Sequence, residues 1–571
     1  MNKGILLGLG LISASLLLNQ LHAAENRWIQ PSGGFWNNPA NWSLGTIPGE
    51  MDDVVIDEPG DYIVEIVGSG IGNSLTLGGT SHGTKQLKVA GANYGLYIST
   101  LQIEPNGELL VSEGEVIFGE ANVDGSVQWA GGLMHVFQSC TVTPSGTLSF
   151  VGSGESHLKG TILNEGTLIW ESTGSLKGSS GNIDNAGRFL LLQNLSLTGN
   201  GSALNRGILE IPEGKEITLP PLPWDFNTYS LWEFNNKGTI LVQSNASLEL
   251  GNAIIALLDG TVLEGEGVAR ATEGSLRASG TISFNATFEL DGGFLTGDHT
   301  LTGSGRFIWN GGGFWGGATV AANGFTIDVT SSDTVFVDFH VLTNLGTINW
   351  QGNATLNGHL SGFYNLGIVS LTSDCNLDGY GIFHNSGTIA STPNTTPTLR
   401  GNWAFDLINT GTFYAAANSS LNITEGFVQL DDGTLFAGPG ITRLIDGYLG
   451  GSGNVVINDT VELAGSVFAG QHTIGGPGVL NWTKGGFGPY GETLLSSNFT
   501  VNATPTTGVV WIDHHTLTNA GTIYWNSEGN LYSSHGAFHN TGSLALSANC
   551  HLDGYGIFFN SGTIASTENA T

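Results

Sequence analysis

The sequence predicts an all-β protein that forms a single long right-handed parallel β-helix with about 20–21 residues per coil. Three observations predict it: a short repeat of Asn-x-Gly followed by alternating apolar residues, a long repeat that overlies the short one, and an unusual composition. Of the 571 residues, 88 are glycine and only 11% are charged. Helices normally carry Ala, Glu, Lys, Leu and Arg on their exposed faces, and that mixture is missing beyond the N-terminal segment.

The short repeat places Asn-x-Gly at nearly constant intervals, in three groups of three. Its asparagines are Asn164, Asn185, Asn205; Asn344, Asn365, Asn385; and Asn519, Asn540, Asn560. The residues that follow alternate between apolar and polar with a period of two, which is typical of strands. The fourth and sixth residues after the asparagine share one face of the strand and are predicted to be interior: Leu168 and Trp170, Phe189 and Leu191, Leu209 and Ile211, Ile348 and Trp350, Val369 and Leu371, Ile523 and Trp525.

A coil of this length cannot bury its apolar face alone, so we expect coils to stack about 4.8 Å apart into parallel sheets. About 25 coils would then form a rod on the order of 120 Å long. The glycine of Asn-x-Gly is expected to supply a positive φ at a tight corner. The asparagines of successive coils are expected to form a ladder of hydrogen-bonded amides.

A longer repeat overlies the short one. Residues 338–350 match 513–525, and residues 375–392 match 550–567, both at an offset of 175. Super-repeats are predicted at about 126–300, 301–475 and 476–571, and the last is expected to stop inside a repeat. Six tryptophans two coils apart are predicted to stack in the interior, with a surface platform for sugars as the alternative: Trp129 and Trp170, Trp309 and Trp350, Trp482 and Trp525.

The N-terminus has the pattern of a signal peptide over residues 1–24. Lys3 precedes an apolar run from residue 5 to 18, and Ala23-Ala24 offers a small-residue cleavage site. We therefore expect a secreted or cell-surface protein, with a leading or capping segment at 25–75 and β-helix repeats at 76–571. No later apolar run is long enough for a transmembrane helix, so no transmembrane segment is expected after cleavage.

The formal net charge is −32, which disfavours nucleic acid as a partner. The acidic turns Asp52-Asp53 and Asp431-Asp432 carry the oxygen ligands that Ca²⁺ prefers, but such turns are also typical of ordinary solvated surface. We expect no cofactor other than Ca²⁺ and no other metal. Cys375 and Cys550 occupy equivalent repeat positions and are predicted to be small buried residues without disulfides.

Two features resemble secreted bacterial adhesin-like proteins with a pectin-lyase-like β-helix. They are the Asn-x-Gly-Thr-Ile repeat with its Gly-rich Trp units, and the opening segment from Phe35-Trp36-Asn-Asn-Pro39 to Asp52-Asp53-Val-Val-Ile56. The resemblance implies an extracellular structural or adhesin-like protein without catalytic activity, whose partners would be glycans or other cell-surface or matrix components. The alternative is a polysaccharide-binding or polysaccharide-degrading protein, since such folds also host lyases and hydrolases.

Candidate site residues fall into two sets. Asp338 with His340, and Asp513 with His515, lie two apart on predicted strands, where a shared face would make an acid–base pair. Because this pair is duplicated with its repeat, an ordinary exposed strand is the competing interpretation. Trp224, Trp232 and Trp403 lie at or near breaks in the repeat and are predicted to form a ligand surface on projecting loops.

Overall fold

The computed structural model describes residues 24–219, 232–250, 255–400, 405–506 and 508–567. It is an all-β structure with 63% of residues in strands, and its parallel sheets stack as a β-solenoid of about 23 turns. The chain divides into two compact units at residues 241 and 242. In the described residues, the only helical segment is a 3₁₀ turn at Pro39–Asn41. The predicted all-β parallel fold is confirmed.

Each coil of the short repeat contains a long strand that passes through a corner, an Asn-x-Gly turn and a short strand. In the second unit, three successive coils are built from Thr334–Asn344 and Thr347–Trp350, then Thr355–Asn365 and Ile368–Leu371, then Asn376–Asn385 and Thr388–Ser391. The register is parallel, with Ile348 opposite Val369 and Val369 opposite Ile389. Equivalent side chains are therefore stacked from coil to coil.

The first unit repeats this plan. Its regular coils use Glu155–Asn164 and Thr167–Trp170, then Ser175–Asn185 and Arg188–Leu191, then Leu197–Asn205 and Ile208–Ile211. All twelve residues predicted to be interior are buried, and so are Trp129, Trp309 and Trp482. The prediction that these six tryptophans lie in the interior is confirmed. Cys375 is buried as predicted, whereas Cys550 is only partly buried, so its prediction was wrong; the cysteines of the described residues are free thiols.

The predicted asparagine ladder is present in both units. Asn344 Nδ2 donates to Asn365 Oδ1 at 2.8 Å, and Asn365 Nδ2 donates to Asn385 Oδ1 at 2.6 Å. Each of these amides also donates to a backbone carbonyl of the next coil, at Ile368 and Thr388 respectively. An inner member of the ladder such as Asn365 has an amide partner on the coil before it and on the coil after it, so the ladder satisfies polar groups that would be costly inside a dry core.

The role predicted for the glycines of Asn-x-Gly was wrong. Gly346, Gly367 and Gly387 do not adopt a positive φ. A Cβ added to Gly367 would lie 2.2 Å from the carbonyl oxygen of Gly346, and one added to Gly387 would lie 2.2 Å from that of Gly367. These glycines are needed because successive turns approach too closely for any side chain.

Parallel stacking begins inside the segment predicted to lead into the repeats. Ala24–Arg27 pairs with Asp52–Ile56, which in turn pairs with Ser69–Leu77. A cluster of Trp28, Trp36 and Trp42 is buried there, with edge-to-face contacts of 5.1 and 4.8 Å between ring centroids. The predicted signal peptide lies almost wholly outside the described residues.

Candidate binding surface

A row of exposed apolar and aromatic side chains follows one corner of the second unit. We call it the corner stripe and define it as Trp315, Phe339, Leu360 and Tyr380, which lie on four successive coils. Their exposed fractions are 50%, 52%, 73% and 50%. Strand register places Trp315 opposite Asp338, the residue before Phe339, and Tyr380 opposite Asn357, just before a register shift that contains Leu360, so the four side chains recur near the same corner of successive coils. Exposed apolar side chains that recur on successive coils are a feature of binding surfaces.

The third super-repeat carries a counterpart of the corner stripe at an offset of 175, formed by Tyr490, His514, His535 and Tyr555. The rings of neighbouring coils are in contact, with centroid separations of 5.6, 5.0 and 6.2 Å along the row. Tyr490 and Tyr555 are each 80% exposed. The corner therefore presents exposed side chains in two super-repeats, although their chemical character differs.

The backbone at this corner is in the left-handed region. The φ angles are 48° at Phe339, 49° at Leu360, 45° at His514 and 55° at His535. Gly316 takes the same corner one coil before Phe339 with a φ of 59°. A left-handed conformation costs about 1–2 kcal/mol for residues other than glycine, and bulky residues adopt it rarely. Large exposed side chains therefore occupy positions where glycine is less strained, and such strain is concentrated at functional sites.

Polar groups border the corner stripe. The backbone N–H of His359 donates to Asp338 Oδ1 at 3.0 Å, and the His359 ring meets Phe339 edge to face at 5.4 Å. Tyr380 contributes a phenolic hydroxyl. An apolar row flanked by hydrogen-bonding groups suits a ligand that is itself amphipathic, such as a sugar ring.

The structure does not bring Asp338 and His340 together as an acid–base pair. The left-handed Phe339 between them interrupts the strand alternation, so Asp338 lies at the surface while His340 is buried. His340 Nε2 is hydrogen-bonded to the hydroxyl of Thr319 at 2.8 Å. Burial lowers the pKa of His340 to about 4. A neutral histidine in the core cannot serve a substrate at the surface, so the predicted shared face was wrong.

The second predicted pair, Asp513 and His515, also fails to share a face of the strand. The left-handed His514 separates Asp513 from His515, which is buried and bonded to Thr493 Oγ1 at 2.9 Å. Burial lowers the pKa of His515 to about 4. Asp513 instead accepts a hydrogen bond from His514 Nδ1 at 2.8 Å, which lowers the pKa of that carboxyl group.

Of the three tryptophans predicted to form a ligand surface, only Trp232 lies in the described part of the chain. Trp232 is buried, and its indole N–H donates to the carbonyl of Thr198 at 2.7 Å. It is a core residue of the first unit, so its predicted place on a projecting loop was wrong. Trp224 and Trp403 lie outside the described residues.

In both acidic turns, a carboxylate oxygen accepts hydrogen bonds from other groups of the protein. Asp432 Oδ1 accepts from the backbone N–H and the side-chain amide of Asn454, which lowers the pKa of its carboxyl group. Asp53 Oδ1 accepts from Asn73 and from the hydroxyl of Ser74. Within the described ranges, no group of three or more His, Cys, Asp or Glu side chains is arranged to hold a metal ion.

The described residues contain no helix that is long and apolar enough to cross a membrane. No protein-family model, no curated protein and no solved structure matches this chain.

Sequence reasoning missed the corner stripe because it sought singular residues rather than exposed positions shared by repeats. A signal was present, since the offset of 175 pairs Trp315 with Tyr490 and Tyr380 with Tyr555. Aromatic side chains at matched positions outside the interior pattern are unexpected in a purely structural coil. The left-handed backbone at Phe339, Leu360, His514 and His535 is not visible in the periodicity.

Proposed function

We propose that this protein is an extracellular or cell-surface, adhesin-like β-solenoid without catalytic activity, and that its corner stripe binds neutral polysaccharide. The observation that carries the proposal is the row of exposed side chains that recurs near one corner of successive coils, where Phe339 and Leu360 have a left-handed backbone. Secretion is supported by the signal-peptide pattern of residues 1–24. The bacterial, adhesin-like assignment is supported by the resemblance of the repeats.

A polysaccharide fits the corner stripe because both are linear and repetitive. Side chains recur once per coil, at the spacing of about 4.8 Å between neighbouring strands. Aromatic faces and edges contact the apolar patches of sugar rings, while Asp338, His359 and the Tyr380 hydroxyl offer hydrogen bonds to sugar hydroxyls. The net charge of −32 disfavours polyanionic chains, so a neutral polysaccharide is the occupant we propose.

Several charged residues in the described coils form ion pairs between neighbouring coils, which is consistent with a structural role. Arg270 pairs with Glu289 at 2.6 Å, and Arg443 pairs with Glu462 at 2.8 Å. Both pairs join residues 19 positions apart on neighbouring coils. A glycosidase would instead need two carboxyl groups facing one another across a substrate.

Replacement of Phe339 by glycine is expected to weaken polysaccharide binding without lowering stability. One stacked aromatic ring contributes about 0.5–1.5 kcal/mol, so we expect a loss of about two- to tenfold for Phe339→Gly. Glycine relieves the left-handed strain but gains freedom in the unfolded chain, so the free energy of unfolding should stay constant or rise by about 1 kcal/mol. Binding is measured by affinity electrophoresis in β-glucan, xylan and mannan, and stability by urea unfolding.

Tyr448→Ser is the matched control, since Tyr448 is an exposed aromatic residue of the same unit that lies outside the corner stripe. It should leave binding unchanged. Failure of the unaltered chain to bind any neutral polysaccharide would refute the proposed ligand. Release of new reducing ends from a bound polysaccharide would refute the non-catalytic assignment and favour a polysaccharide-degrading protein.

A further inference from the structure

We infer that His514 and His535 form a binding site for a divalent transition-metal ion on the counterpart of the corner stripe. This inference concerns the third super-repeat alone and does not depend on polysaccharide binding. The two imidazoles lie at equivalent corners of neighbouring coils, with centroids 5.0 Å apart and ring planes inclined by 23°. Both side chains are exposed, so an ion can reach them from solvent.

The hydrogen bonds of His514 and His535 are made by Nδ1 and orient the two rings for metal binding through Nε2. His514 Nδ1–H donates to Asp513 Oδ1 at 2.8 Å, which leaves the lone pair on Nε2. His535 Nδ1 lies 3.4 Å from the hydroxyl of Ser534. A histidine that donates one ring nitrogen to a carboxylate while the other binds the ion is the usual arrangement around protein metals, because the carboxylate fixes the tautomer and raises ligand basicity.

Two imidazoles on adjacent coils can share one ion. Metal–nitrogen bonds of about 2.0–2.1 Å allow the two ring nitrogens to lie up to about 4 Å apart. The two rings are nearly parallel, so their in-plane lone pairs point side by side, and metal binding requires both exposed rings to turn toward the shared ion. Beside them is a hollow of about 350 Å³ lined in part by Tyr555 and Ile557, with room for water ligands.

The chemistry of the site selects among metals. Imidazole nitrogen suits Cu²⁺, Ni²⁺ and Zn²⁺, and Cu²⁺ binds such a site most tightly. Two protein nitrogens with water in the remaining positions fit the tetragonal geometry that Cu²⁺ prefers. The acidic surface, with 48 carboxylate residues against 16 lysines and arginines, raises the local concentration of cations.

The second super-repeat supplies a built-in comparison. Phe339 and Leu360 stand where His514 and His535 stand, at the same left-handed corner. The fold therefore accepts an apolar residue at both positions, and the histidines are not required by the coil. In the described part of the chain, His514 and His535 are the one exposed pair of histidines whose rings contact each other.

The test is a calorimetric titration of the metal-free full chain with CuCl₂, with electron paramagnetic resonance of the loaded protein as the second readout. The variants His514→Phe and His535→Leu reproduce the pair found in the second super-repeat, so they should fold normally, as checked by circular dichroism. We expect one high-affinity site with nitrogen ligands in the unaltered chain. Each variant should weaken that site by at least about tenfold.

Two further variants sharpen the test. Asp513→Asn should weaken Cu²⁺ binding by about 10- to 100-fold because it removes the carboxylate that orients His514. His82→Gln removes another exposed histidine and should leave the affinity unchanged. The inference is overturned if the unaltered chain shows no such site, or if His514→Phe and His535→Leu bind Cu²⁺ as tightly as it does.

Discussion

Lowering the pH from about 6.5 to about 4 is expected to destabilise the second unit through its buried histidines. His299, His340 and His515 are buried, and burial lowers the pKa of each from 6.5 to about 4. Throughout this pH range, the unfolded chain therefore binds protons that the folded chain does not bind. Since stability rises with pH wherever the unfolded state binds more protons, it must fall as the pH is lowered and level off below about 4.

The hydrogen bonds show why these histidines stay neutral. His299 Nδ1–H donates to the carbonyl of Gly297, so its Nε2 accepts from the hydroxyl of Thr319. The same hydroxyl oxygen then accepts from His340 Nε2–H, which leaves His340 Nδ1 without a proton and without a partner in the core. Protonation there would place a charged N–H in a dry interior with nothing to accept it.

A related arrangement surrounds His472 and His515. Thr493 Oγ1 lies 2.9 Å from His515 Nε2, and His472 Nε2–H donates to the carbonyl of Ala469. His515 Nδ1 and His472 Nδ1 have no hydrogen-bond partner. Burial also lowers the pKa of His472. Asp298, next to His299, opposes the effect of burial on His299 and His340, and Asp431 does so on His472.

The effect should be large. The difference between a pKa of 6.5 and one of about 4 corresponds to about 3 kcal/mol for each histidine. Urea unfolding from pH 7.5 to 4 measures it, and nuclear magnetic resonance titration of the imidazoles gives each pKa directly. His340→Gln should reduce the slope of stability against pH by about one proton.

His384→Gln, which alters a histidine stacked on Tyr364 outside the core, serves as the control and should preserve the slope. Stability that stays constant between pH 6.5 and 4 would contradict the prediction, as would imidazoles that titrate near 6.5.

The coil could be predicted from the sequence because the residues that specify it recur at regular intervals. Alternation after each asparagine fixed which face of Thr347–Trp350 is buried, and the nearly constant interval between asparagines fixed the stacking of Asn344 on Asn365. These features are local and repeated, so a wrong assignment at one coil can be recognised by comparison with the equivalent residues of the other coils. The role of the Asn-x-Gly glycines was not predictable, because it depends on how closely the next turn approaches.

The site could not be predicted in the same way because it depends on one backbone angle per coil. Strand periodicity places Asp338 and His340 on the same face, and the same rule applied to Asp513 and His515. A single left-handed residue between the members of each pair reverses that outcome, burying the histidine and leaving the aspartate outside. Non-glycine residues in that region are uncommon, so sequence offers no rule that would have anticipated Phe339 or His514.

Removal of one rung of the asparagine ladder is expected to cost more than any surface substitution. Asn365 accepts from Asn344 Nδ2 and donates both to Asn385 Oδ1 and to the carbonyl of Thr388. Asn365→Ala leaves these groups unpaired inside the core, except that Asn344 Nδ2 keeps its bond to the carbonyl of Ile368. Each buried polar group left unsatisfied costs about 1–3 kcal/mol, so we expect a loss of about 3–5 kcal/mol.

The matched control for the ladder is Asn349→Ala. Asn349 lies on the neighbouring strand with its side chain directed outward, where it donates to Asp328 Oδ1 at 2.8 Å. Its loss should cost about 1 kcal/mol, since water can replace the missing partner. Urea unfolding gives the two free energies, and hydrogen exchange should show faster opening around residues 344–388 in Asn365→Ala. Equal costs for the two variants would mean that the ladder fills space without contributing hydrogen-bond energy. In that case, the spacing of Asn-x-Gly would be explained by the close approach at glycine alone.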